Sequence, residues 1–229
     1  MQRIIITIFL FLAASFQAHG SRVTDIGGAS IAYDVKGNMT TDAYARTLSW
    51  DIDNHLVTMT DNIGTVASFS YDALGRRVEK VTPSGNTLFI SHGQRVIEEY
   101  ESDGVQPYSL ARSYAYGTYV DDRLAKVETP GTAGSLPATL YYHTDRQYNV
   151  RGLTDSVGNI IELYAYTPYG KQVIIDPSSS FILPTSSFGN AYGFTGRYLD
   201  VETGLWYFRA RYFSDEMGRF INRDPLGYV

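Results

Sequence analysis

Cysteine is absent from this chain of 229 residues. Without thiols the chain can form no disulfide and offers no lipid-attachment thiol. It also lacks the residue that most structural zinc sites use. These absences exclude a small disulfide scaffold, so the fold must be held by packing and hydrogen bonds.

Charged residues are scarce as well, and the net charge of the chain is slightly negative. Charged residues make up 19% of the chain, the formal net charge is −5, and Lys and Arg form no run. Such a chain has no electrostatic basis for non-specific attraction to nucleic acid or to anionic lipid. The sequence also has no phosphate loop, dinucleotide fingerprint or nucleophile-elbow motif, so we expect no cofactor and find no support for a metabolic enzyme.

Long hydrophobic runs are missing except for Ile4 to Ala14. That run is too short for a membrane span, which needs roughly 20 residues. Arg3 precedes it and the small-residue pattern Ala18-His19-Gly20 follows it, which is the layout of a secretory signal peptide. We therefore predict a signal peptide over residues 1–20, cleavage after Gly20, and a secreted or cell-envelope protein; the alternative is a buried first helix.

The residues that are abundant favour β-structure. The chain is 44% hydrophobic and contains 19 Tyr and 21 Gly, a mixture typical of half-buried strands joined by tight turns. Turn-forming segments recur along the chain, and each predicts a hairpin tip. These segments are Asp34–Gly37, Asp51–Asn54, Asp61–Gly64, Asp72–Gly75, Pro83–Asn86, Ser102–Gly104, Ser156–Asn159 and Pro168–Gly170.

Alternating residues between these turns predict strands. Thr65 to Tyr71 alternates an apolar face with a face of Val and Ser. Leu205 to Phe213 alternates in the same way and predicts one strand, with Arg209 and Arg211 on one face. We expect these two arginines to pair with carboxylates of a neighbouring strand, with a polar ligand as the alternative.

Two segments rich in Pro, Gly and Ser show no alternation. They are Thr129 to Pro137 and Asp176 to Gly189. Because the same aromatic-rich strands resume after each, we interpret both as loops inserted into one architecture, not as linkers between domains.

A short repeat places an aromatic residue before a turn-forming Asp. It occurs at Tyr33-Asp34, Trp50-Asp51 and Tyr71-Asp72, at spacings of 17 and 21 residues. The ring can end a strand on its covered face, while the carboxylate accepts hydrogen bonds from the amides of the turn.

The two Tyr-Asp dipeptides lie within longer motifs that resemble the YD repeats of the rearrangement-hotspot (RHS) family, to which the teneurins are distantly related. The last ninety residues resemble the RHS-repeat-associated core even more closely. The matching motifs are Tyr33–Asn38, Tyr71–Arg76, Tyr141–Asp145, Val150–Asp155, Tyr166–Gly170, Phe194–Tyr198, Glu202–Phe213, Gly218–Ile221 and Asp224–Gly227.

The resemblance implies an all-β fold. It would be an antiparallel YD-repeat sheet strip, a partial teneurin-like shell, with the RHS-associated core at its inturned C-terminal end. The resemblance divides the chain into a YD-repeat region over residues 21–137 and a core over residues 138–229. In longer relatives the shell encloses a C-terminal toxin, and we expect none here because the chain stops just after the core. A sheet face on a wet interior would also suit Tyr, whose ring buries area while its hydroxyl stays hydrated.

The same resemblance points to Asp224 and Arg219 as candidate residues for autoproteolysis. Some relatives cleave themselves just beyond the matching segment, using aspartate chemistry supported by an arginine. Two departures weaken the transfer. Tyr228 replaces the Leu of the motif, and Ser214 stands where the family usually has Asp, although Asp215 is adjacent. The competing interpretation, which we favour, is a turn at Asp224 with Arg219 paired locally.

A metal site is not expected. Only His55, His92 and His143 remain after the predicted leader, without helical or short spacing. The segment from Asp51 begins like a calcium loop, but Leu56 and Asn62 occupy the positions that require Gly and Glu. We interpret it as a turn.

Taken together, the residues and the resemblance predict a secreted RHS core protein with a structural or interaction role and no turnover of its own. A short strip cannot close on itself, so we expect a protein partner or self-association through an exposed sheet edge. The alternatives are a residual aspartate autoprotease and a surface module for glycan binding or adhesion, in which exposed tyrosines stack on sugar rings.

Overall fold

A computed structural model describes residues 16–19, 22–129 and 139–225. Within them the regular structure is almost entirely strand, joined by turns and by one short 3₁₀ turn at Phe194–Gly196. The strands are β1 (Phe16–His19), β2 (Arg22–Ile26), β3 (Ala29–Ser30), β4 (Ala32–Tyr33), β5 (Met39–Thr41), β6 (Thr47–Trp50), β7 (Leu56–Thr60), β8 (Thr65–Tyr71), β9 (Arg77–Thr82), β10 (Gly85–His92), β11 (Arg95–Ser102), β12 (Ser109–Tyr116), β13 (Arg123–Glu128), β14 (Thr139–Thr144), β15 (Val150–Thr154), β16 (Ile160–Tyr166), β17 (Gln172–Ile175), β18 (Ile182–Leu183), β19 (Tyr198–Asp200), β20 (Leu205–Tyr207), β21 (Tyr212–Ser214) and β22 (Arg219–Phe220).

One large sheet dominates the molecule. Strands β4 to β18 form a 15-stranded antiparallel meander in which each strand pairs with the next one in the chain. Two smaller sheets hold β1 to β3 and β19 to β22. The predicted antiparallel all-β fold is confirmed. The large sheet continues past residue 137, because Ala125 of β13 pairs with Tyr141 of β14.

Alternation along the strands builds one covered face, as the sequence pattern indicates. In β8, Ala67 and Phe69 are buried while Ser70 is exposed. Met59 on β7 pairs with Ala67 and is also buried. Residues two apart along a strand point to the same face, so successive strands extend one apolar surface across the sheet.

All eight predicted turn segments connect consecutive strands of the large sheet. At the turn after β8, Oδ1 of Asp72 accepts hydrogen bonds from the amides of Leu74 (2.9 Å) and Arg76 (3.0 Å). Gly75 there has a φ of 73°. A residue with a side chain is strained in that conformation, which explains the glycine three residues after the Asp.

In six of the Asp turns the residue four positions after the Asp completes the turn, a feature that the repeat pattern did not predict. Its side chain bonds back to Oδ2 of the Asp, through an amide, a guanidinium or an imidazole. The six pairs are Asp34–Asn38, Asp42–Arg46, Asp51–His55, Asp72–Arg76, Asp145–Asn149 and Asp155–Asn159.

These hydrogen bonds should make the turns sensitive to acid. Burial alone would raise the pKa of Asp145, but hydrogen bonds from the Asn149 side chain and the turn amides outweigh burial and lower it. A depressed pKa adds stability above the unfolded value of about 3.9, and that stability is lost as pH falls through the folded pKa. We expect Asp145→Asn to reduce the loss of stability between about pH 4 and pH 2.5, as measured by urea unfolding.

The matched control for that experiment is Asp53→Asn. It removes an exposed carboxylate at another turn and should leave the slope of stability against pH as in the wild type. Equal slopes for wild type and Asp145→Asn would contradict the prediction.

The C-terminal segment, residues 184–225, covers one face of the large sheet. Leu205, Tyr212 and Ile221 pack into a core with residues of the early strands, such as Met39 and Leu56. A second core joins further residues of the segment to the middle strands. Its buried members are Phe89, Leu140, Tyr142, Val150, Leu153, Tyr164, Ile174, Tyr192 and Tyr198. The apolar face of the sheet is therefore buried by the chain itself.

The prediction of one strand over Leu205 to Phe213 is wrong. The segment is a hairpin in which β20 and β21 pair with each other. The amide of Phe208 donates to the carbonyl of Arg211 at 2.7 Å, and Arg209 at the tip has a φ of 64°. Aromatic residues alternate through the tip as they do in a strand, so periodicity alone could not locate the reversal.

Three other predictions concern the two predicted loops and the signal peptide, and two of these segments lie partly outside the described residues. Asp176 to Gly189 is mostly irregular, as expected, but contains the two-residue strand β18. Of the loop predicted at Thr129 to Pro137, all but Thr129 lies outside the described residues. So do residues 1–15 and Gly20 of the predicted signal peptide, while Phe16–His19 forms β1 and pairs with β2.

Candidate functional site

Charged side chains are buried where the C-terminal segment meets the large sheet. Sequence reasoning missed this cluster, because charged residues on alternating strand positions are usually solvated. The buried charged residues of this contact are Arg77, Lys80, Glu99, Asp121, Arg123, Lys126, Glu128, Glu162 and Asp200. We call them the buried charge layer.

The first group in the layer centres on Asp200 of β19, which is fully buried. Its Oδ2 lies 2.6 Å from Nη1 of Arg77, and its Oδ1 lies 3.5 Å from Nζ of Lys80. Lys80 also pairs with Glu202 at 2.9 Å. Burial alone would lower the pKa of Lys80, but the neighbouring Tyr198, Asp200 and Glu202 raise it, so its ammonium stays charged. Two carboxylates of the C-terminal segment, those of Asp200 and Glu202, thus balance the two cations of β9.

The second group connects three adjacent strands. Nη1 of Arg112 on β12 lies 2.8 Å from Glu99 and 2.8 Å from Glu101, both on β11. Lys126 on β13 pairs with Glu128 at 2.6 Å and donates to the carbonyl of Phe188. Arg112 also lies 3.6 Å from Glu128, and its cross-strand pairs with β11 and β13 hold the register of the sheet.

The third group fastens the segment before β19 to β16. Glu162 is fully buried, and it accepts hydrogen bonds from Tyr164, from Oγ of Ser186 (2.6 Å) and from the amide of Ser187 (2.8 Å). Asn190 donates to the Tyr164 hydroxyl at 3.0 Å. A carboxylate with this many donors is held in one orientation.

Tyrosines fill the covered face, but their hydroxyls bond to protein groups, contrary to the expectation of a hydrated face. Tyr71 donates to the carbonyl of Leu56 at 2.9 Å, and Tyr192 donates to Glu99 at 3.2 Å. Burial raises the pKa of Tyr198 to about 12, so this phenol remains neutral beside Lys80. The face is dry here because the C-terminal segment lies on it.

An open groove lies next to the buried charge layer. Strands β9, β10, β11 and β12 form one side of it and the C-terminal segment forms the other. Its volume is about 590 Å³, and its lining is half polar, with Lys80, Glu101, Arg112, Asn190 and Glu202 among the residues. The charged members are already paired with one another. The groove therefore offers hydrogen-bonding groups to a polar chain segment or ligand, held in place by their ion pairs.

The candidate residues for autoproteolysis lie at the end of the described chain. Oδ2 of Asp224 lies 2.8 Å from Nη1 of Arg211, and the Arg211 guanidinium lies 3.7 Å from the centre of the Phe220 ring. Arg219 pairs with Ser214 across β21 and β22. Burial raises the pKa of Asp215 in the connecting turn.

Residues around Asp224 attach the end of the chain to the first turns. The amide of Met39 donates to the carbonyl of Ile221 at 2.8 Å. Nδ2 of Asn222 donates to the carbonyl of Asn54 at 3.1 Å, and the amide of Arg223 donates to Oδ1 of Asn38 at 3.0 Å. Residues 221–224 thus join strands that are far apart in the sequence.

Arg209 and Arg211 both pair with carboxylates, as predicted, but neither carboxylate lies on a neighbouring strand of the small sheet that holds the hairpin. Arg211 binds Asp224, and Arg209 binds Asp121 in the connection between β12 and β13. The partner of Arg209 comes from the large sheet because the hairpin tip lies against it.

The calcium-like segment brings three possible metal ligands together in one turn. Asp51, Asp53 and His55 approach one another within 4.8 Å. Oδ1 of Asp51 accepts the amides of Asp53 and His55, and Oδ2 meets Nδ1 of His55 at 2.9 Å. This is the same arrangement as at the other Asp turns, so the interpretation as a turn is confirmed. Nε2 of His143 lies 3.0 Å from Oγ1 of Thr154.

Comparison with known proteins agrees with these turns and strands. The family model described as RHS Repeat matches residues 50–87, a stretch that contains the Asp turns after Trp50 and Tyr71. The chain therefore carries an RHS repeat and is similar to proteins of the RHS/YD-repeat family. The RHS chain is also 28% identical over 207 residues to the tRNA nuclease WapA of Bacillus subtilis, a match that covers 90% of this chain and 8% of that protein.

Two further similarities extend the comparison. The double-stranded DNA deaminase toxin A of Burkholderia cenocepacia is 27% identical over 223 residues, covering 85% of this RHS chain and 15% of the toxin. The crystal structure of TcdB2-TccC3-Cdc42 matches with a TM-score of 0.67 at 18% identity, over 86% of this chain and 10% of that one. The fold is therefore that of an RHS sheet.

This RHS chain spans only a small part of the relatives that it matches, about 8% to 15% of their length. The similarity therefore relates it to the corresponding sections of those toxins. Among the residues that the structure describes, no helix has the length and hydropathy of a membrane span.

Proposed function

We propose that this RHS chain acts as a structural and interaction module, a section of shell wall that joins another RHS-type sheet through an edge strand. The observation that supports it is the edge at β18. In the described part of the chain β18 pairs only with β17. Phe181 and Ile182 at this edge are each 72% exposed. An edge strand that is apolar and exposed is a template for pairing with another strand.

Light scattering at increasing protein concentration tests this proposal. The wild type should self-associate. Ile182→Lys should shift the mass to the monomer, because a lysine on an edge strand blocks pairing. Val157→Lys is the matched control: it adds the same charge at a turn position that is 79% exposed and away from this edge. A wild type that stays monomeric at every concentration would contradict self-pairing, as would equal effects of both variants.

Export is part of the same proposal. The charged residue Arg3, the apolar run after it and the small residues before Ser21 support it. Cleavage after Gly20 would fall between β1 and β2 and would separate β1 from the mature chain. N-terminal sequencing of secreted protein should therefore begin at Ser21, whereas uncleaved chain in the cytosol would refute export.

For Asp224 we propose a structural role without turnover. Its pairing with Arg211 and the hydrogen bonds of residues 221–223 support an anchor for the end of the chain. With a folded reporter appended after Val229, wild type and Asp224→Asn should both keep the reporter, as measured by intact mass. The variant should lose about 0.2–1 kcal/mol of stability, the range for partly exposed ion pairs.

Release of the reporter by wild type but not by Asp224→Asn would support an autoprotease instead. The amide cannot take up a proton as a general base, so that contrast would assign the chemistry to this carboxylate.

A further inference from the structure

Arg123, at the start of β13, is a buried cation without a carboxylate partner among the described residues. Its residue exposure is only 4%. Its Nη2 donates to the hydroxyl of Tyr116 at 2.8 Å. Within the described chain, its Nε and Nη1 form no hydrogen bond. Leaving buried donors of a charged group unbonded costs several kcal/mol as a rule, so this guanidinium requires an acceptor.

Tyrosine rings surround this guanidinium but do not supply that acceptor. Its central carbon lies 3.2 Å from the ring centre of Tyr192, 4.9 Å from that of Tyr116 and 5.2 Å from that of Tyr114. Cation–π attraction of this kind stabilises the charge. The ring faces offer no lone pair for the in-plane N–H groups.

Arg123 lines a cavity of about 60 Å³. A single water needs roughly 10–15 Å³ of such space, so the cavity has room for a few water-sized species. Four arginines line it, and Arg77 among them is balanced by Asp200; the other three, Arg123, Arg197 and Arg209, have one lining carboxylate, that of Asp121. Positive charge is therefore in excess around the cavity.

The single lining carboxylate is already shared. Asp121 Oδ1 lies 2.9 Å from Nη1 of Arg197 and also binds Arg209. Arg197 has a second donor, Nε, that is buried and forms no hydrogen bond within the described residues. Burial lowers the pKa of Arg197, and the nearby Arg209 lowers it further. The unused donors of Arg123 and Arg197 thus line a small space with excess positive charge.

We propose that this cavity binds a small inorganic monovalent anion of the size of chloride, with Arg123 and Arg197 as its main donors. An anion satisfies the donors and balances the excess charge, whereas water would satisfy only the donors. The volume excludes a peptide carboxylate with its chain. Since Arg123 belongs to the large sheet and Arg197 to the C-terminal segment, the anion would connect the two.

Thermal unfolding of the full chain tests the proposal, with sodium chloride compared against sodium gluconate at equal ionic strength. Gluconate is too large for the cavity and controls for general salt effects. A ligand that binds only the folded state stabilises it with the logarithm of its concentration. We expect Tm to rise by about 3–5 °C for each tenfold increase in chloride above its Kd, and not with gluconate.

Arg123→Gln should abolish the chloride-specific part of that shift. Arg151→Gln is the matched control, since it removes an exposed guanidinium outside the cavity and should keep the full shift. If Arg123→Gln fails to fold, Arg197→Gln takes its place in the comparison. Equal Tm values in chloride and gluconate would overturn the proposal, as would a full chloride shift in the cavity variant.

A direct observation on the wild type does not depend on any variant. Crystals grown in sodium bromide should show an anomalous peak within hydrogen-bonding distance of Arg123 and Arg197. Density in the cavity without anomalous signal would identify water and would overturn the anion assignment.

Discussion

Asp200→Ala is expected to lower the free energy of unfolding by about 3–5 kcal/mol, because the change leaves two buried cations without their shared carboxylate. Arg77 is 2% exposed at its side chain and Lys80 is 10% exposed, while Asp200 is fully buried. Asp200 is the one carboxylate paired with Arg77 among the described residues, whereas Lys80 keeps its contact with Glu202. Chemical denaturation of the purified chain measures the loss.

Two further variants separate this cause from general damage at the site. Asp53→Ala removes an exposed carboxylate at a turn and should change stability by less than about 0.5 kcal/mol. The double variant Asp200→Ala, Arg77→Met should recover part of the loss, because it removes one of the two cations that lose Asp200. A loss below about 1 kcal/mol for Asp200→Ala alone would contradict the assigned role.

Trp206→Ala should cost about 3–5 kcal/mol, the usual range for removing a fully buried large aromatic side chain. Trp206 on β20 has no exposed surface. Its ring centre lies 6.2 Å from that of Phe194 and 6.4 Å from that of Tyr166. It approaches the backbone so closely that a Cβ on Gly193 would lie 2.7 Å from its ring. The ring therefore fastens the C-terminal hairpin to the large sheet.

The conservative variant Trp206→Phe should lose clearly less than Trp206→Ala. Phenylalanine keeps most of the buried ring, and it removes an indole N–H that is buried without an acceptor among the described residues. Ile63→Ala truncates an apolar side chain that is 90% exposed and serves as the control, with an expected change within about 0.5 kcal/mol. Equal losses for Trp206→Ala and Ile63→Ala would show that the ring does not hold the hairpin.

Much of the large sheet could be predicted from local sequence. Strand β8 follows directly from alternation, and the turn at Asp72 follows from an Asp that accepts turn amides and a Gly that tolerates a positive φ. These signals act over five to eight residues and need no distant partner. The residue four positions after the Asp, such as Arg76, is part of the same local signal, because its side chain completes the turn.

Only the tertiary structure decided which face is covered and what the charges on it do. Arg77 and Lys80 are three residues apart, so simple alternation would place them on opposite faces; an irregularity in the pairing of β8 with β9 leaves both covered. Their shared partner is Asp200, more than a hundred residues away, which the C-terminal segment places on the sheet. Partners at that separation leave no periodic signal in one sequence.

The chain reversal at Arg209 is a second feature that local sequence does not predict. Its flanking residues alternate as a strand does, and only the pairing of β20 with β21 reveals the hairpin. The tip lies where Arg209 can reach Asp121 and where its backbone is held at a positive φ by the strands on either side. Local sequence therefore determined most strands of the large sheet and its Asp turns, because each depends on contacts within a few residues. The covered face, the buried charge layer and the arginine-lined cavity were decided by tertiary packing, because each requires two segments that meet only in the folded chain.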